Sequence, residues 1–329
     1  MKWMFKFVFI SAALWSGYWY FGARAQEKMY VDLLNESRDQ GWTAESRNLG
    51  VSGFPNRFDT TLTDVNFRDP SGSWGWRGEE FQIKALSYQL NHIIMAWPGK
   101  QVLDTPEGEV SIIADLLRAS LVVSPSVNLP LSRFQIEGEG VDLESEILGP
   151  SEIGQLNAAV FQDEDVNSKY RLGVELADIT PPESLTRRLG GGRIFSGPIE
   201  SFKLSAQLDF DREIDRLVLE NETPPRLVST EIEQSILVWG RSELTISGTL
   251  NDGHNGYVQG SLRFDVKNWE PLFDVFKQTS NLTTTEFLTL KRALDGAAGD
   301  ENLVFTVNFQ NGESSIGPFT IGPAPVYPF

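Results

Sequence analysis

The sequence holds no cysteine and only two histidines, His92 and His254. Without thiols there are no disulfides and no thiolate metal ligands, so the fold rests on its core alone. A zinc centre draws three or four ligands from Cys, His and carboxylates, and two histidines far apart in the chain make a poor start. Serine catalysis needs a nucleophile, a histidine base and usually an acid. No Gly-x-Ser-x-Gly elbow is present: Gly50-Val51-Ser52-Gly53 has the wrong spacing and reads as a turn before a strand. His254 reads as a solvated turn residue, and His92, between Leu90 and Ile94, as a half-buried strand side chain. Gly190-Gly191-Gly192-Arg193 lacks the following Lys-Ser/Thr of a phosphate loop and reads as a helix stop. Asp163-Glu164-Asp165 with Asn167 offers oxygen ligands for calcium but lacks the glycine and terminal glutamate of an EF-hand loop, which favours an exposed acidic turn. Asp209, Asp211 and Glu213 read the same way. Many carboxylate pairs are available for glycoside hydrolysis, and nothing singles one out. No catalytic residue, metal site or cofactor is assigned.

Positive charge is also scarce, at 28 Lys and Arg against 45 Asp and Glu. Residues 1–28 hold Lys2, Lys6, Arg24 and Lys28 against Glu27, which leaves the remainder with 24 basic and 44 acidic residues. Such a body is repelled by phosphate backbones and by anionic lipid surfaces, so nucleic acid is not expected as a partner. Lipid, if handled, would be taken by an apolar interior.

The one long apolar run lies at the start. Lys2 and Lys6 precede an uncharged stretch from Phe7 to Phe21. Basic residues before such a run stay cytoplasmic while the chain beyond it crosses, so in a bacterial host the body faces the periplasm. Two readings of residues 1–25 stand. Ala23-Arg24-Ala25 has the small-x-small form of a signal peptidase site, which would release a soluble periplasmic protein. Trp15, Tyr18, Trp19, Tyr20 and Phe21 instead resemble the interfacial belt of a retained single-pass anchor. Trp3 to Phe21 comes close to the roughly 20 residues that a spanning helix needs, with Lys6 snorkelling toward the headgroups.

Residues 26–41 pattern as a stalk or packing helix, with Met29, Leu33 and Leu34 on one face and Gly41 at the C′ position. Beyond Trp42 the dominant period is two. Phe202, Leu204, Ala206, Leu208 and Phe210 alternate with polar residues, as do Tyr170 to Leu176, Leu244 to Leu250, Val258 to Val266 and Leu303 to Phe309. One-faced alternation marks antiparallel sheet. The turn chemistry of Asn251 to Gly256 predicts a hairpin from Ser242 to Lys267. Helices are expected over Pro181–Leu189, over Asn268–Gln278 around Trp269, Leu272, Phe273 and Phe276, and from a Thr283-x-x-Glu286 capping box to Gly296. The expected fold is mainly β: a curved, largely antiparallel sheet over 42–329, with a few helices covering part of its apolar face, an N-terminal transmembrane helix, and a subdivision near 181–192.

Several stretches together resemble domain-of-unknown-function family 2125, found mainly in alphaproteobacterial envelopes. They are the N-terminal anchor and helix, Ser52-Gly53-Phe54-Pro55-Asn56-Arg57-Phe58, Ala96-Trp97-Pro98-Gly99, Val238-Trp239-Gly240 leading to Leu244-Thr245-Ile246-Ser247-Gly248, Gly260-Ser261-Leu262 and Ile316-Gly317-Pro318. More distantly, one-faced strands behind a single anchor are similar to the AsmA-like group, which resembles lipid-transfer bridges with a hydrophobic groove. The chain is much shorter than those bridges. This resemblance implies lipid or amphiphile handling and brings no catalytic residues to carry over; the expected function is non-enzymatic binding in cell-envelope maintenance. The apolar rows supply the expected lining: Leu204, Leu208, Leu244, Ile246, Leu262 and Phe264. Two other readings keep the same alternation: a scaffold with a closed core whose acidic outer face meets a protein partner, and a hydrolase of envelope glycans or lipids.

Overall fold

The computed structural model describes residues 2–188, 197–219, 224–253, 256–273, 283–298 and 302–327. His254, the Gly190–Arg193 stretch, Leu189 of the expected Pro181–Leu189 helix and residues 274–278 of the expected Asn268–Gln278 helix lie outside them. The fold is mainly β, and its strands pair antiparallel, as one-faced alternation requires. Contacts divide the chain into two compact units, residues 1–124 with 136–147, and residues 125–135 with 148–329.

The first unit opens with one helix, α1 (Lys2–Asp39). The anchor segment and the expected stalk are therefore continuous. No helix among the described residues is long and apolar enough to cross a membrane. In α1 the apolar run follows directly on Lys6, is diluted by Ser11, Ser16 and Gly17, and carries Trp15, Tyr18, Trp19 and Tyr20, with their polar handles, toward its end. The helix stops at Gly41, whose φ of 89° is left-handed, with Trp42 N–H donating to Ser37 O and Gly41 N–H to Arg38 O, a Schellman motif.

Strands β1 (Thr43–Glu45) and β2 (Asn48–Ser52) both pair with β3 (Arg57–Arg68), making one interrupted strand beside it. β3 pairs with β4 (Gly75–Leu86). A second interrupted strand follows, β5 (Gln89–Ala96) and β6 (Gln101–Thr105), and both halves lie between β4 and β7 (Gly108–Val123). The Trp97-Pro98-Gly99 motif is the break, where proline removes a ladder donor. Leu34 of α1 packs with Ala44, Leu62 and Val65, flanked by Phe67, Trp76 and Phe81. β8 (Leu131–Ser145) runs through the segment that the two units divide.

The second unit is a long meander: β9 (Gly149–Gln162), β10 (Lys169–Thr180), β11 (Ile199–Phe210), β12 (Leu227–Trp239), β13 (Ser242–Asp252), β14 (Val258–Lys267), β15 (Asn302–Gln310), β16 (Glu313–Ile316) and β17 (Phe319–Pro323). Each strand from β9 to β17 pairs with the next. The predicted hairpin is present, with Glu243 opposite Lys267 and Asp252 opposite Val258. Helix α2 (Glu183–Arg188) follows β10, and α3 (Thr284–Ala297) precedes β15, its first turn closed by Phe287 N–H on Thr283 O. The tail returns onto β14, where Val258 N–H donates to Pro325 O and Tyr327 joins Leu227 and Val258 in a buried cluster.

Candidate functional site: an apolar cavity in the second unit

The cavity grows from three neighbouring strands. Because side chains alternate faces, register decides which of them meet. Leu244, Val266 and Leu303 stand in one cross-strand row, and Ile246, Phe264 and Phe305 in the next. The Phe264 and Phe305 rings stack with centroids 5.0 Å apart. Gly248, Leu262 and Val307 form a third row. β16 and β17 extend the face with Ile316 and Ile321.

A roof lies over these rows. Asn268 takes a φ of 49° at the end of β14, and its carbonyl accepts the buried Ser242 hydroxyl at 3.0 Å. That corner turns the chain back, so Trp269, Leu272 and Phe273 face the sheet at the start of a helical turn. α3 adds Phe287, Leu290 and Leu294, spaced at three and four residues so that they share a face. Phe273 and Phe287 stack at 4.6 Å. Lys291 sits over the Trp269 ring at 5.4 Å while bonding Asp295 at 2.9 Å, so the roof is charged outside and apolar within.

Between roof and sheet lies a cavity of about 380 Å³, neither sealed nor a flat surface, and within the size range of ligand pockets. An apolar cavity of about 150 Å³ already stays dry and takes up benzene; this one admits a longer apolar group. Among the described residues no charged side chain lines it, and the one polar side chain that does, Ser314, donates its hydroxyl to Pro323 O at 2.9 Å. Such a lining can hold hydrocarbon.

Of the six expected lining residues, Leu244 and Phe264 border the cavity. Ile246 and Leu262 occupy the same sheet face one position further along their rows. Leu204 lies on that face further across the sheet, between Val174 and Ser235, and Leu208 packs against the Tyr327 cluster. The row through Val174, Leu204, Ser235, Ile246, Phe264 and Phe305 runs from β10 to β15 and is apolar except at Ser235. Leu303, Phe305, Val307 and Phe309 also line the cavity. Their alternation was visible; the strand that would lie beside them was not.

The polar candidates are dispersed. His92 Nε2 lies 2.9 Å from Ser120 Oγ across β5 and β7, with no carboxylate hydrogen-bonded to that histidine among the described residues. Asp163 Oδ1 accepts the N–H groups of Asp165 and Val166, which hold its carboxyl below the usual range and make the segment an Asx turn. Asp209 faces Lys169 at 3.8 Å, and Asp211 accepts Arg226 N–H. Among the described residues no three His, Asp or Glu side chains gather as a metal site. Burial raises the phenols of Tyr170 and Tyr327 above their ordinary value; Tyr170 accepts Ile214 N–H, and Tyr327 shares a hydrogen bond with Thr230.

A family model described as "Uncharacterized protein conserved in bacteria (DUF2125)" matches residues 19–325. The chain belongs to the DUF2125 family. That match holds both units and starts at Trp19, inside α1. No curated protein and no solved structure matches the chain. Within this DUF2125 member the Ser52–Phe58 motif receives the α1 aromatics: Trp15 and Trp19 donate their indole N–H groups to Pro55 O and Arg57 O at 2.9 and 2.7 Å.

Proposed function

We propose that this protein binds lipid or another single-chain amphiphile, without catalysis, in maintenance of the bacterial cell envelope. In this reading α1 holds it at the inner membrane as a single-pass anchor, and the body stands in the periplasm. The observation that carries the reading is the cavity of about 380 Å³, lined among the described residues by apolar side chains and the internally bonded Ser314, at one end of a sheet face that stays apolar from β13 to β15. The acidic composition agrees with it, because attraction to anionic headgroups is not available and an apolar interior must do the binding. The more distant resemblance to the AsmA-like group of envelope proteins points to the same ligand class.

The test is photolabelling of the full chain with a fatty acid that carries a diazirine. The expected products map to peptides of β13–β15 and α3 and fade when unlabelled phospholipid competes. Labelling confined to α1 would sink the proposal, since that is where any membrane-seeking helix collects a fatty acid.

A further inference from the structure

We infer that the end of the first unit formed by the Ser52–Phe58 turn and the β4–β5 turn is a membrane-contact collar, seated in the lipid interface beside α1. This inference rests on the membrane reading of α1 and adds which part of the body enters the bilayer, and why it must.

The argument starts with how α1 is held. Tyr18 donates its hydroxyl to Ser87 O at 2.6 Å, joining the two indole bonds to Pro55 and Arg57. Trp19 meets Phe54 edge-on and stacks on Phe58. Gly22 allows the approach: a Cβ there would sit 2.6 Å from Phe58 Cζ. The helix is thus bolted to the body from Trp15 onward, and the belt donors that would otherwise bond headgroups are spent on protein carbonyls. N-terminal to that point Trp3, Phe7, Phe9, Ile10 and Leu14 are all exposed.

Length then decides the depth. At 1.5 Å per residue, the free stretch from Trp3 to Leu14 reaches about 18 Å, well short of a hydrocarbon core of about 30 Å. A body resting on top of the headgroups would leave Lys2 and Lys6 in hydrocarbon. Sinking the bolted end by about 5–10 Å, the depth at which apolar faces lie in the interface, brings the sum close to the core thickness.

The surface at that end fits such burial. Asn56 O accepts Ser87 N–H, so the two turns are adjacent. From them project Phe54, Tyr88 and Leu90, the last two 66% and 59% exposed. Exposed apolar side chains grouped beside an apolar helix form a patch of the kind that marks a contact site. The occupant is the bilayer, because the patch is continuous with α1 and joins Tyr88, an aromatic with a polar tip of the kind found at membrane interfaces, to the exposed Phe54 and Leu90.

The absence of cysteine makes the test clean. Single variants Phe9→Cys, Tyr88→Cys, Leu90→Cys and Trp74→Cys of the full chain are labelled with an environment-sensitive fluorophore. They are then placed in phosphatidylcholine vesicles containing lipid with a nitroxide either near the headgroup, to report positions 88 and 90, or midway along an acyl chain, to report position 9. Trp74 marks the other end of β4, roughly 36 Å away for twelve residues of strand. The expected result is several-fold quenching with a blue shift at positions 9, 88 and 90, and none at 74. Quenching at 9 with none at 88 and 90 overturns the collar and leaves the anchor standing. Quenching at none of them removes the anchor as well. Shielding of position 90 without vesicles, growing with protein concentration, assigns the patch to a second copy and also overturns the proposal.

Discussion

Removing Leu290 tests whether α3 roofs the sheet. Its side chain is 1% exposed and packs among Trp269, Phe273, Phe287, Leu294 and Leu303, whereas Leu288 on the same helix is 48% exposed. Truncating a buried leucine to alanine loses the transfer free energy of the deleted carbons and leaves a void, together about 2–5 kcal/mol. Here the void opens into an existing cavity whose walls are held by strand pairing, so neighbours have little means to collapse into it. The upper half of that range is expected. With a urea dependence of about 1–3 kcal/mol per M, Leu290→Ala should lower the midpoint of the second unit by at least about 1 M. Leu288→Ala should stay within about 0.5 kcal/mol of the parent, as exposed substitutions do. The assay is urea unfolding with hydrogen exchange of β14 and β15 peptides as the local readout. Bound amphiphile should restore much of the loss, about 2.7 kcal/mol at a hundred times its dissociation constant. Equal midpoints for the two variants would refute the packing on which the cavity depends.

Two further outcomes follow from single side chains. Ile246→Asp places a charge on the half-buried sheet face beside Phe264; the protein should stay folded by circular dichroism and lose fatty-acid labelling, whereas global unfolding would mean that this face is a closed core, where an unpaired charge is intolerable. Tyr170→Phe removes the acceptor of Ile214 N–H and should cost about 1–3 kcal/mol at neutral pH in thermal or urea melts. The pH dependence has a definite sign. Burial raises the Tyr170 phenol above 10.0, so the neutral form is favoured in the fold. Its contribution is fully present below pH 10 and is lost as the pH rises from there through the folded value. The wild type should therefore lose stability above pH 10 more steeply than Tyr170→Phe; parallel alkaline slopes would contradict the assignment.

The parts of the fold carried by local pattern were legible in the chain. The hairpin from Ser242 to Lys267 follows from alternation on both sides of a glycine-rich turn, and the end of α1 at Gly41 follows from the one residue that takes a left-handed φ without strain. Leu244 and Phe264 were found because they stand on the apolar face of that hairpin. What periodicity could not show was which stretch of the face carries a roof. Leu204 and Leu244 have the same alternation, yet only Leu244 lies under Trp269 and Leu290, since the roof position is set by the corner at Asn268 and by non-local packing. The same limit hid the cradle for α1. Trp15, Tyr18 and Trp19 read as a belt from their spacing, and their hydrogen bonds to carbonyls 40, 69 and 38 residues away have no local signature. The motif Ser52–Phe58 was visible as a string of common residues, and its use became apparent only with the helix lying in it.

The continuity of α1 has a mechanical consequence. A stalk with a break between Phe21 and Gln26 would act as a swivel and let the first unit sweep a wide cone. A single helix of 38 residues, seated by Leu34 at one end of its packed stretch and by Trp15 at the other, is instead a bracket with two fasteners. Any force or tilt imposed on its first dozen residues is passed undamped to β1–β3. Every copy held by that end therefore presents the sheet of its first unit at one fixed angle.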